Sequence, residues 1–116
     1  MRQQLLMISG VTAAERYQAT TDVNDAISAA GGWVVDHTSF SNVAITIRFS
    51  LPSQRLDELR DRVIAARIKL DDDSLTRIRT MGEQHLLEPK DLTATLNITF
   101  IHDEPDLRRE IPAVPG

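Results

Sequence analysis

A chain of 116 residues with 41% hydrophobic and 26% charged side chains has the size and composition of one globular domain. Its formal net charge of −4 argues against nucleic acid as a partner, because nucleic-acid-binding modules usually carry a positive excess. The sequence has no cysteine, which excludes disulfides, thiolate catalysis and zinc–cysteine sites. No apolar run reaches the roughly 20 residues that a membrane-spanning helix needs, so we expect no membrane partner.

A nearly continuous apolar run at residues 5–11 predicts the first strand, with both faces covered in the centre of a sheet. The run fits a buried strand better than the core of a signal peptide, so we expect a cytoplasmic protein. Residues 12–15 have the form of a capping box, in which the Thr12 hydroxyl accepts a helix N–H and Glu15 reaches back. The helix is predicted to end at Gly31-Gly32, because glycine adopts the left-handed conformation without steric cost.

Residues 33–40 and 43–51 are predicted to form two paired strands. The second alternates cleanly, with one apolar face formed by Val43, Ile45, Ile47, Phe49 and Leu51. In the first strand, a two-residue turn would direct Val34, Asp36, Thr38 and Phe40 inward, and a three-residue turn would direct Trp33, Val35 and His37 inward. We favour the three-residue turn, because burial of an unpaired Asp36 is costly whereas burial of Trp33 is favourable.

The remaining elements are predicted from spacing and from helix-breaking residues. Ser53 is expected to cap a second helix, whose apolar stripe is Leu56, Leu59, Val63, Ala66 and Leu70. We expect residues 75–80 to form a short polar edge strand and residues 81–91 to form a loop or a single helical turn. Strict alternation over residues 92–100 is the strongest strand signal. Charges and prolines predict a C-terminal tail at 103–116, which leaves one domain at residues 1–102.

Two strand–helix units with a hairpin between them predict an α+β fold, a ferredoxin-like βαββαβ sandwich with an additional C-terminal strand. We expect an antiparallel sheet covered on one face by two helices. The other face, rich in Thr and Arg, would stay open and offer a surface to a second copy of the chain. The predicted partner is therefore another subunit in a homo-oligomer.

The titratable residues form no recognisable catalytic or metal motif. His37, His85 and His102 have no metal-ligand spacing, so we interpret His37 as a structural residue and the other two as solvated. The acidic run at residues 71–73 lacks the alternating ligands and the glycine of a calcium loop, and is interpreted as a solvated connection. The sequence thus predicts no catalytic residue, no metal site and no cofactor.

Ser9-Gly10-Val11-Thr12 is the strongest candidate for ligand binding. The segment leaves a strand and opens a helix, where unpaired N–H groups and the positive end of the helix dipole favour an anion. A ligand carboxylate or phosphate could bind there, although tight packing of the turn explains the single glycine equally well.

Over about residues 5–80, two thirds of the chain, the sequence resembles the ACT domain, on the segments LLMISG, DAISAAGG, WVVDHTSFSNVAITIRFSLP and LDELRDRV. In that family a helix ends in glycine and a strand of the form I-x-D follows, a place taken here by Val34, Val35 and Asp36. The resemblance implies a ferredoxin-like regulatory module that binds an amino-acid effector, with Asp36 at the site. Ligand-binding members often carry an Asp and a Pro-Gly pair after the first strand, of which this chain keeps only Gly10.

Two other functions share this topology. A ferredoxin-like dimeric barrel could act as an enzyme through His37 or Asp36, provided that they lie in an apolar cavity. An RNA-binding module needs aromatic side chains on the open face, where only Phe40 is expected among residues such as Thr46, Arg48 and Asn97. RNA binding is therefore disfavoured.

Overall fold

A computed structural model describes residues 5–40 and 43–101. These residues form an α+β fold with one five-stranded sheet and three helices. In chain order the elements are β1 (Leu5–Thr12), α1 (Arg16–Ala29), β2 (Trp33–Phe40), β3 (Ala44–Pro52), a 3₁₀ turn (Ser53–Arg55), α2 (Leu56–Ala65), β4 (Lys69–Leu70), α3 (Asp72–Gln84) and β5 (Asp91–Phe100). The predicted tail at 103–116 and His102 lie outside the described residues.

The strand order is β2-β3-β5-β1-β4, so the last strand of the described chain lies in the middle of the sheet. β5 pairs antiparallel with β3 and parallel with β1, from Leu5 opposite Thr93 to Thr12 opposite Phe100. The prediction of an antiparallel sheet was therefore wrong, and the sheet is mixed. The alternating pattern of β5 specified which residues face the core but carried no information about neighbouring strands.

One face of the sheet packs against all three helices and forms a single core. The strands supply Leu6, Ile8, Ile45, Ile47, Phe49, Leu51, Leu92, Ala94, Leu96 and Ile98, all of them buried. The helices supply Ala19, Val23, Ile27, Leu56, Leu59, Val63 and Ile78. The alternation predicted for β3 and β5 is confirmed from Ile45 onward, whereas Val43, predicted on the same apolar face, precedes β3 and is half exposed. The prediction that β1 is covered on both faces was wrong, because Leu5 and Met7 on its other face are half exposed.

The β2–β3 pairing contains an irregularity that neither predicted register included. Phe40 lies opposite Ala44, which agrees with the three-residue connection, and His37 lies opposite Ile47 on the helix side. The register then shifts at Val35, so Trp33 lies opposite Ser50 on the open face. The predicted inward position of Trp33 was therefore wrong. A β-bulge inserts one residue and reverses the facing of the strand beyond it.

The ends of α1 agree only in part with the predictions. Gly31 adopts φ +88°, and the N–H of Gly32 donates to Ile27 O at 2.9 Å, so the predicted glycine end is confirmed. The N-cap is Glu15, because Thr12 is still part of β1. The predicted capping role of Thr12 was wrong, and its hydroxyl instead donates to Arg67 O at 2.9 Å.

The second half of the chain departs further from the predictions. Ser53 does not cap α2 through its side chain, since its hydroxyl accepts a hydrogen bond from Lys90 N at 2.9 Å. α2 ends at Ala65, and Leu70 lies in β4. The predicted edge strand at 75–80 was wrong, because these residues belong to α3. The acidic run interpreted as a connection starts that helix, and Asp71 is its N-cap.

The cap of α3 gives a testable pH dependence. Hydrogen bonds from the Ser74 hydroxyl and from the Ser74 N–H hold the pKa of Asp71 below its usual value. The cap therefore contributes fully above the unfolded-state pKa and is lost as pH falls through the lower native value. At neutral pH, Asp71→Ala should lower the free energy of unfolding by about 1 kcal/mol.

Urea unfolding of wild type and variant across the acidic range measures this effect. The difference between the two proteins should shrink as pH falls. Asp73→Ala removes the same charge from the first turn of α3 without removing the capping hydrogen bond, so it is the matched control. An equal loss in both variants would contradict the capping role.

Candidate functional site

The predicted ligand segment Ser9-Gly10-Val11-Thr12 lies in β1, and neighbouring elements occupy much of its backbone. The N–H of Ser9 donates to the Ser74 hydroxyl at 2.7 Å, and Asp71 N–H donates to Ser9 O at 3.1 Å. Gly10 and Val11 pair with β4, and Thr12 is buried. A groove of about 360 Å³ on this side is lined by Ser9, Gly10, Val11, Lys69, Leu70, Asp71 and Thr99.

The first turn of α1 already holds an anion from the chain itself. Glu15 accepts hydrogen bonds from Tyr17 N–H at 2.8 Å and from Gln18 N–H at 2.9 Å. These backbone hydrogen bonds lower the pKa of the Glu15 carboxyl. The Glu15 carboxylate therefore lies where the sequence predicted that a ligand anion would bind. The groove beside Ser9 is the remaining place for a ligand near this segment.

Asp36 lies far from that groove. It forms an ion pair with Arg48 on the open face of the sheet, and β3 and β5 separate its strand from β1. His37 is exposed on the opposite face of β2. The structure therefore brings Asp36 together neither with the Ser9 segment nor with His37.

Within residues 5–40 and 43–101, no helix covers the open face of the sheet. Its side chains form four rows that run across the strands. From β2 to β1 the rows are Trp33–Ser50–Thr93–Leu5, Asp36–Arg48–Thr95–Met7, Thr38–Thr46–Asn97–Ser9 and Phe40–Ala44–Thr99–Val11. The large apolar side chains Trp33, Phe40, Leu5 and Met7 are all about half exposed. Both aromatic residues lie on the edge strand, whereas the central strands carry Thr and Asn, an arrangement unlike a base-stacking platform.

Sequence reasoning missed a cleft of about 360 Å³ between the start of α2 and the end of α3. Its lining is Ser53, Gln54, Leu56, Asp57, Arg79, Gly82, Glu83, His85 and Leu86. His85, interpreted from the sequence as solvated, is 7% exposed. Ser74, Ile78 and His85 recur at helical spacing, so reading residues 72–85 as a helix would have placed this histidine on the buried stripe.

Among residues 5–40 and 43–101, no group of three or more His, Asp or Glu side chains could hold a metal ion. No helix in the same part of the chain is long and apolar enough to span a membrane. Comparison with protein-family models, with curated proteins and with solved structures finds no match for this chain.

Proposed function

We propose that the chain is an ACT-like module that self-associates through the open face of its sheet and responds to a small-molecule effector such as an amino acid. The order of β2, β3, β1 and β4, with α1 after β1 and α2 after β3, supports a ferredoxin-like unit. β5 is then an additional strand inserted at the centre of that unit. The regulatory role and the effector rest on the sequence resemblance.

The main support for the proposed self-association is the open face of the sheet. It measures about 25 Å by 20 Å, or about 500 Å² per subunit, from strand rise and spacing. Two such faces would bury about 1,000 Å², the lower limit for a specific protein–protein interface. Apolar side chains are exposed along both outer strands of this face, at Trp33 and Phe40 on β2 and at Leu5 and Met7 on β1, and clustered exposed apolar side chains often mark an interaction surface.

The charges of the face suit a second copy of the same chain. Asp36 and Arg48 neutralise each other within one subunit, and Lys69 lies at the opposite edge. The rest of the face is mainly small, hydroxyl-bearing or apolar, so two copies can stack without burying an excess of one charge. The Thr46 hydroxyl already donates to Asn97 Oδ1 at 2.5 Å, which leaves these two central groups partnered.

Self-association is tested by substituting the open face. Met7→Asp should convert a dimer or larger assembly into a monomer, because it places an unpaired carboxylate inside the interface. Sedimentation or light scattering measures the mass. Trp33 is the sole tryptophan, so its fluorescence should shift to shorter wavelength as wild type associates.

Ile64→Asp is the matched control, because Ile64 is similarly exposed but belongs to α2, on the helix-covered side. It should leave the mass unchanged. A wild-type protein that stays monomeric at high concentration, or an assembly that survives Met7→Asp, would refute the proposed interface.

A further inference from the structure

The cleft beside His85 is separate from the open face and from the groove near Ser9. It lies where the 3₁₀ turn and the first turn of α2 meet the last turn of α3. Its volume of about 360 Å³ is at the lower end of the usual range for small-molecule sites. Leu56 and Leu86 give it apolar walls, and Gln54, Arg79 and Glu83 supply polar groups.

His85 brings an unused hydrogen-bonding position to this cleft. Its Nε2 atom is buried and has no hydrogen-bond partner among the described residues. A buried polar atom without a partner costs stability, and such atoms are rare in native proteins, where protein groups or ordered water usually satisfy them. His85 is one of the residues that line the cleft, so a molecule bound there lies beside this residue.

The charged side chains of the cleft define the class of ligand. Arg79 and Glu83 form no ion pair within residues 5–40 and 43–101, whereas Asp57 pairs with Arg60 at 3.3 Å. The cleft therefore offers one free guanidinium and one free carboxylate. A polyanion such as a phosphate ester would meet repulsion from Glu83, and a simple amine would meet repulsion from Arg79.

We infer that this cleft binds a small zwitterion. Its carboxylate pairs with the guanidinium of Arg79, its ammonium group pairs with Glu83, and the imidazole of His85 contributes a hydrogen bond. The inference rests on the proposed effector binding and assigns it to this cleft rather than to the segment at Ser9. His85 and Arg79 are ligand-binding residues in this assignment.

NMR of the imidazole nitrogens in the full chain tests the assignment. The sequence has three histidines, so His37→Asn and His102→Asn identify the His85 signals. The probes are the common L-amino acids, added singly, and for each binder the matching amine and the matching carboxylic acid. At least one amino acid should shift the His85 signals, and neither analogue should bind as tightly.

Arg79→Gln should raise the dissociation constant of that amino acid about tenfold or more, because a hydrogen bond to a charged group usually contributes at least this much to affinity. Arg16→Gln makes the same change on α1, outside the cleft, and should bind like wild type. Binding with silent His85 signals, or binding unchanged by Arg79→Gln, would overturn the cleft assignment and leave an effector at another site. Absence of binding by every amino acid would overturn the proposal of an amino-acid effector and with it the cleft assignment, while the self-association measured separately would stand.

Discussion

Replacing Leu96 by alanine is expected to lower the free energy of unfolding by about 2–5 kcal/mol, the usual cost of truncating a buried leucine. Leu96 is 1% exposed in β5, between Ile8 on β1 and Ile47 on β3. A cavity there has strands on both sides and helices above, so the surroundings can collapse only in part. Urea unfolding followed by circular dichroism measures the loss.

Leu87→Ala is the matched control, because Leu87 is 95% exposed in the loop before β5. Its expected change is within about 0.5 kcal/mol, as for most surface substitutions. The comparison tests the central position of β5 directly. If Leu96→Ala cost no more than Leu87→Ala, β5 would have to be peripheral and the strand order given above would be wrong.

The second large effect is expected at Gly32, the residue immediately before β2. A Cβ atom on this residue would lie 2.3 Å from the carbonyl oxygen of Ser50 and 3.0 Å from the side chain of Leu51. The first contact is with backbone and cannot be relieved by rotating a side chain. Gly32→Ala should therefore lower the free energy of unfolding by about 1–3 kcal/mol or more, as overpacking does.

Gly82→Ala should have the opposite sign. Gly82 lies within α3, where an added Cβ would meet only Leu56 at 4.0 Å. Alanine there restricts the unfolded chain and favours the helix, so the free energy of unfolding should rise by about 0.5–1 kcal/mol. Thermal and urea unfolding of Gly32→Ala and Gly82→Ala would measure the two changes in the free energy of unfolding. A similar destabilisation in both would show that Gly32 makes no close approach to β3.

The elements with a strict period could be predicted from the sequence. Ile45, Ile47, Phe49 and Leu51 in β3, and the even-numbered residues of β5, are buried as their alternation predicted. The glycine end of α1 was also predictable, because left-handed backbone at Gly31 is a local property. The i,i+4 hydrogen bond from Arg62 to Glu58, at 2.9 Å, follows from helical spacing alone.

Much less of the candidate site could be predicted from the sequence. Ser9, Gly10 and Val11 do line a groove, but Asp36 lies across the sheet from them. The His85 cleft was missed because residues 75–80 were interpreted as a strand, which broke the helical stripe on which His85 lies. α3 carries many polar residues, and its N-terminal half packs at the edge of β1 through Ser74 and Arg77.

The sequence by itself determined the α+β class, the buried faces of β3 and β5 and the end of α1, since each depends on residues close together in the chain. Only the tertiary structure decided the insertion of β5 beside β1, the shift at Val35 and the burial of His85. The alternation of apolar and polar residues determines which face of a strand is apolar. The same alternation is compatible with a parallel or an antiparallel neighbouring strand. These three features depend on contacts between residues far apart in the chain, such as Leu6 and Ala94, and no local sequence pattern indicates such contacts.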